Sequence, residues 1–234
     1  MTYEREQNVI GWHRHTTDGT IESVASIYGS SDDEVWLSVK RTINGATKRY
    51  VERFNPTAWT NKEDAFYVDC GITYSGSSTT TITGLSHLEG ETVQILGDGA
   101  VQNSKTVASG QITLDEAVTK AQVGLQFQSI LEPMLLNADH QVGNTQAQKK
   151  RIREVSVRML NSLGFNYGDG TDEYEFPFRD TDDPMDDSPP LFSGVKSVEF
   201  DGDFDTEPRF IIKQTQPLPM NILYLVAKYQ VTGR

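Results

Sequence analysis

From Glu34 to Phe54 the chain reads EVWLSVKRTI-NG-ATKRYVERF, two alternating runs around a central Asn-Gly. Asn-Gly is the strongest short hairpin signal, because both central positions of a type I′ turn need positive φ. A two-residue turn sets Ile43 opposite Ala46, Val39 opposite Tyr50 and Val35 opposite Phe54 on one face. Ser38 then meets Val51, and Trp36 meets Arg53, on the other. Upstream, NVIGWHRHT and TIESVASIY flank Thr17, Asp18 and Gly19 and predict a second hairpin, so residues 1–60 read as a four-stranded β meander. Both faces of the second hairpin carry large side chains. A sheet with one wet side alternates apolar and polar more cleanly. The pattern therefore predicts cover on both sides, as in a blade of a β-propeller. Other parts of this chain supply the flanking layers, or they lie upstream in a longer protein.

After NPTAWTNKED, whose Pro56 marks a boundary, residues 61–136 predict a small β-rich domain of barrel type. TTTITGL, ETVQILGDG and GQITLDEAV are β-branched runs between Gly-containing turns, with Asp98-Gly99 a further hairpin turn. Residues 137 to 150 lack apolar periodicity and read as a connector. In IREVSVRMLNSLGF the positions Ile152, Val155, Met159 and Leu163 suit a helix, whereas Val155, Val157 and Met159 alternate like a strand. The β-rich context and Gly164 favour the strand. Two more strands flank Pro217 and Pro219 near the C-terminus, where proline forbids a central ladder position. Residues 137–234 thus predict a β-sheet domain with acidic loops that completes the propeller-like part.

Charge changes this picture. The net charge of −12 resides in one segment: residues 166 to 208 hold fourteen Asp and Glu against Arg179 and Lys196. Such a segment repels phosphate, and no cluster of Lys and Arg elsewhere offers counterion release. Stable nucleic-acid binding is not expected, although a repelling wall suits DNA in transit. The single cysteine, Cys70, forms no intrachain disulfide, which fits an intracellular or virion origin. No apolar run approaches the roughly 20 residues of a membrane span, and MTYEREQ lacks the apolar stretch of a signal peptide. These features predict a soluble chain.

Candidate chemistry is sparse. Cys70 in FYVDCGITY reads as a buried, inert thiol. His13 and His15 share a strand face, but His87 and His140 lie far off, short of a zinc set. DGDFDTE places Asp201, Asp203 and Asp205 at alternate positions, like the oxygen ligands of a calcium loop. It fails the EF-hand test, since Thr206 stands where glycine is needed and Ile212 where the bidentate glutamate belongs. These three aspartates are the weak calcium candidates, and no other metal or cofactor is expected. The run Asp180 to Pro190 offers five aspartates among three prolines. Glycoside hydrolysis requires one carboxyl with a raised pKa, and a proline-interrupted acidic run predicts an exposed, mobile loop instead. Trp12, Trp36 and Trp59 are candidate stacking platforms for sugar rings, with Trp36 and Arg53 more simply a cross-strand cation–π pair.

GLSHLEGETVQILGDGA and AQVGLQFQSILEPM, together with EREQNVIGWHRHTTDGTIESV, KRTINGATKRYVERF, IREVSVRMLNSLGF and QTQPLPMNILYLV, resemble the tail nozzle or tail tubular proteins of short-tailed bacteriophages and prophages, also described as packaged-DNA stabilisation proteins. The resemblance covers nearly the whole chain and rests on turns and core strands. It implies a mainly β fold, propeller-like antiparallel sheets with an inserted small β-barrel-like domain, corresponding to the C-terminal part of longer members. It implies a structural virion protein of the tail, made in the host cytoplasm and not an enzyme. Its partners would be other tail subunits, with a homo-oligomeric ring around the DNA-exit channel when full length. It carries no catalytic residue. A β-rich receptor- or carbohydrate-binding module of a phage tail is the alternative.

Overall fold

The computed structural model describes the chain except residues 1, 5, 7, 8, 12, 13, 30–32, 56–58, 137, 138, 141, 142, 145–147, 180, 185, 186, 233 and 234, with only the backbone of 2–4, 9, 11, 139, 140, 143 and 144. The chain is mainly β and forms two units, Met1–Phe54 and Asn55–Arg234. The first boundary thus falls a few residues before the expected one, and the expected second and third domains form one unit.

In the first unit, β1 (Thr2–Glu4) pairs with β2 (Val9–Gly11) as a separate ladder. β3 (Thr20–Ile27), β4 (Glu34–Ile43) and β5 (Ala46–Arg53) make a three-stranded antiparallel sheet. The β4–β5 register is the one the turn dictates, from Ile43 opposite Ala46 to Trp36 opposite Arg53. Asn44 and Gly45 sit at φ 49° and 72°, as a type I′ turn requires. The predicted four-stranded meander is corrected to three strands, because Val9–Gly11 pairs upstream and not with β3. The Thr17–Gly19 turn serves another end: Asp18 offers its carbonyl to the Arg41 guanidinium at 2.6 Å.

The second unit begins with β6 (Val68–Thr83), β7 (Thr92–Gly97), β8 (Ala100–Thr106) and β9 (Gln111–Gln126), in the sheet order β6-β9-β7-β8. Among the described residues this sheet is open, from edge to edge. Asp98 and Gly99, at φ 46° and 79°, join β7 to β8 as the sequence predicts. β6 and β9 are far longer than the short runs visible in the sequence. They bend at a bulge spanning Cys70 and Gly71, where the register shifts between Asp69 and Ile72. There the two backbones nearly touch. A Cβ on Gly124 would lie 2.7 Å from the Asp69 carbonyl oxygen and 2.7 Å from the Gly71 Cα, and neither atom can yield without moving a strand. Gly124→Ala is expected to cost about 1–3 kcal/mol, read as a lower urea midpoint at unchanged m-value.

The remaining strands are β10 (Ser129–Leu131), β11 (Asp139–His140), β12 (Gly143–Asn144), β13 (Lys150–Ser162), β14 (Asn166–Gly168), β15 (Glu173–Glu175), β16 (Phe192–Glu199), β17 (Ile211–Gln214) and β18 (Ile222–Val231). Two sheets, β16-β13-β18 and β10-β17-β14-β15, enclose the main core, while β11 and β12 pair within the expected connector. The strand reading of IREVSVRMLNSLGF holds, since Val155, Val157 and Met159 alternate inward and are fully buried. Phe165, Phe176, Phe178, Phe200 and Phe210 fill the centre. Pro217 and Pro219 do separate two strands, but as a crossover: β17 joins one sheet and β18 the other. The β6–β9 sheet abuts this core through Leu96, with Gln94 and Gln126 donating to the Thr215 carbonyl at 2.9 and 3.3 Å.

Candidate functional site

The sequence-predicted residues do not converge. Asp201 pairs with Arg151 while its side chain remains 93% exposed. Asp205 turns its carboxylate back on its own loop, accepting from the Glu207 N–H at 3.3 Å and the Thr206 hydroxyl at 3.2 Å. Those donors hold its pKa below the ordinary aspartate value. Asp203 is exposed. The Asp205 backbone bridges to Lys150 in both directions, while residues 201–204 belong to no strand. Among the described residues no three His, Cys, Asp or Glu side chains gather, and Asp201, Asp203 and Asp205 do not converge on one point.

Where it is described, the acidic run makes contacts at both ends. Arg179 donates to the Pro184 carbonyl and, at 2.8 Å, to the Asp187 carbonyl. Lys62 meets the Asp187 carboxylate at 3.2 Å and also bonds Ser188. Lys62 holds the Asp187 carboxyl below its usual range, the opposite of what a general acid requires. Asp180 and Asp186 lie outside the described residues.

Cys70 is half-buried, not buried, at φ 49°, and its carbonyl meets His87 Nε2 at 3.0 Å. His15 packs its ring against Phe54 at 5.1 Å, whereas His13 and Trp12 fall outside the described residues. Trp59 is partly buried against the main core. Trp36 gives its indole N–H to Glu34 at 3.0 Å, and the Arg53 guanidinium stands 5.9 Å from its ring centre, the cross-strand pair the register predicts. A shallow dent beside Tyr167, Glu173 and Lys213 has room for a single water at most.

The Asp98 carboxylate at the β7–β8 turn accepts from two backbone N–H groups and one hydroxyl. Burial pushes its pKa up, but the Thr119 and Lys120 N–H groups and the Thr119 hydroxyl together outweigh it, and the carboxyl lies below its ordinary 3.8. A depressed carboxyl contributes stability above the unfolded-state pKa and loses it as pH falls through the folded value. Asp98→Asn keeps the turn's tolerance of positive φ and removes the charge together with one acceptor oxygen. It is expected to cost about 1 kcal/mol at pH 7, discounted for partial exposure. That gap closes as the pH drops below the ordinary 3.8. Paired thermal melts from pH 7 to pH 3 would show the two curves converging.

What sequence reasoning could not supply is which large side chains remain uncovered. In the first unit these are Val24 at 66%, Val51 at 75% and Tyr28 at 90% exposure, together with half-exposed Ile21 and Ile27. Val39, Arg41 and Ile43, on the other face of the hairpin from Val51, are buried. By the register Val24 and Ile21 share the Val39 face while Val51 lies on the opposite one, so exposed apolar side chains stand on both faces of this sheet. No protein-family model matches the chain, and no curated protein matches it.

Proposed function

We propose that this chain is a structural component of a bacteriophage tail, of nozzle or tube type, that forms part of the DNA-exit channel through interfaces between subunits. The observation that carries this reading is the meander β3-β4-β5, whose register is strongly specified yet whose Val24, Val51 and Tyr28 stand in solvent. A sheet so well determined, with apolar side chains left over, fits a layer that neighbouring subunits cover. The meander is propeller-like in this reading, and β6 to β9 form the inserted barrel-like domain. Residues 166 to 208, with fourteen acidic side chains, would line the channel and let DNA slide without binding. The segments resembling tail nozzle proteins support the same assignment. The sugar-binding alternative gains nothing from Trp36, whose indole N–H is committed to Glu34 and whose ring faces Arg53.

Negative-stain imaging of the full-length protein with its neighbouring gene products tests the proposal. A closed ring with a central opening is expected. Monomers that bind a host glycan tightly would overturn it in favour of the alternative.

A further inference from the structure

Among the described residues the strand β18 is an edge of the β16-β13-β18 sheet, laddered to β13 alone. Natural sheets guard such edges with charge, proline or a bulge. The opposite edge, β16, carries Lys196 and Glu199. β18 reads ILYLVAKYQV and holds one charge, Lys228, in ten residues. Leu223, Tyr224 and Val226 along it are half-exposed or more. A bulge at Leu223, opposite Arg158 and Met159, guards one end of β18, and past it the run Tyr224 to Lys228 pairs regularly with β13.

That run is self-complementary. When two copies are laid antiparallel about a two-fold axis through Val226, Val226 meets itself, Leu225 meets Ala227, and Tyr224 meets Lys228. Directly opposed residues of an antiparallel pair share a face. Tyr224, Val226 and Lys228 all lie on the outer face, because their β13 partners Arg158, Ser156 and Glu154 do. Each pairing is favourable in kind: a large aliphatic beside a small one, two valines, and an aromatic ring under a lysine stem whose ammonium stays bonded to Glu154 at 2.8 Å. No charge faces a like charge. The guarded β16 edge stops further growth, so the contact closes at two copies.

The geometry points to a second copy of this chain as the occupant of the β18 edge, paired β18 to β18 in a continuous six-stranded sheet. The inference stands apart from the tail assignment. A chain making both this contact and a ring assembles with dihedral symmetry, and a chain making this contact alone stops at a dimer.

Light scattering on the full chain tests it through residue 226, which meets only itself in this register. Wild type is expected at twice the monomer mass. Val226→Lys and Val226→Glu, half-exposed substitutions that leave the fold intact, each fall to the monomer, and an equimolar mixture of the two returns to the dimer. Hydrogen exchange on wild type adds an independent reading: amides of Tyr224 to Lys228 that point away from β13 slow on concentration. A monomeric wild type, single variants that remain dimeric, a mixture that stays monomeric, or edge amides indifferent to concentration would each overturn the proposal.

Discussion

Phe165→Ala is expected to lower the stability of the second unit by about 3–5 kcal/mol, the usual cost of truncating a buried phenylalanine. Phe165 is 2% exposed and its ring contacts two others, Phe176 at 4.6 Å and Phe178 at 5.0 Å edge-on. Its backbone is equally engaged, because the Phe165 carbonyl accepts from the Phe176 N–H at 2.9 Å. The surrounding strands are fixed by ladders on either side and cannot collapse into the space, which places the cost in the upper range for such changes. Phe165→Leu should recover part of the loss by refilling volume. Urea unfolding monitored by far-ultraviolet dichroism gives both values. A loss under about 1 kcal/mol would mean that the aromatic cluster is not the core described.

In the first unit the decisive pair is Arg41 and Glu52. The Arg41 side chain is 1% exposed and meets the carboxylate in a fork, Nε to Oε1 at 2.6 Å and Nη2 to Oε2 at 2.7 Å. Removing one partner of a buried pair leaves the other charge uncompensated, and Glu52→Ala is expected to cost about 3–5 kcal/mol. Replacing both, as Arg41→Met with Glu52→Leu, should restore part of the loss, since an apolar pair carries no desolvation penalty but leaves the Asp18 carbonyl without its Arg41 donor. Unfolding followed by tryptophan fluorescence, in which Trp36 reports on the first unit, would separate the two outcomes. Val51→Ser, in contrast, should change the isolated chain by no more than about 0.5 kcal/mol, because Val51 has little contact to lose.

The contrast between these positions explains how much the sequence could reveal. The β4–β5 hairpin was legible to the residue because its register is written locally: a type I′ turn at Asn44-Gly45 and alternation on either side leave one pairing. The alternation of Val155, Val157 and Met159 settled β13 in the same way. Thr17, Asp18 and Gly19 look equally like a hairpin turn. Their partner is the guanidinium of Arg41, far along the chain, and a Cβ on Gly19 would lie 2.8 Å from the Lys40 carbonyl oxygen. That long-range fit leaves no local signature. The lengths of β6 and β9 were hidden for a related reason, since the bulge at Cys70 and Gly71 interrupts the period that marks a strand.

Candidate sites fared less well than elements. Alternating aspartates at 201, 203 and 205 mimic a calcium loop in sequence, yet Asp201 pairs with Arg151 and Asp205 bonds back to its own loop. The acidic run between Arg179 and Ser188 suggested mobility, and only the fold brings Lys62 and Arg179 to contact it. The exposed apolar residues could not be foreseen at all: Val39 and Val51 are the same residue type on one hairpin, one fully buried and the other 75% exposed. Which of the two is covered leaves no local signature in the sequence.

The central claim is that the β3-β4-β5 meander is a layer completed by other subunits. Hydrogen exchange measured by mass spectrometry, on the free chain and on its assembly with the neighbouring gene products, addresses it most directly. The account predicts that peptides covering residues 20–28 and 46–54 exchange readily in the free chain and become protected on assembly. Equal exchange in both states would contradict it.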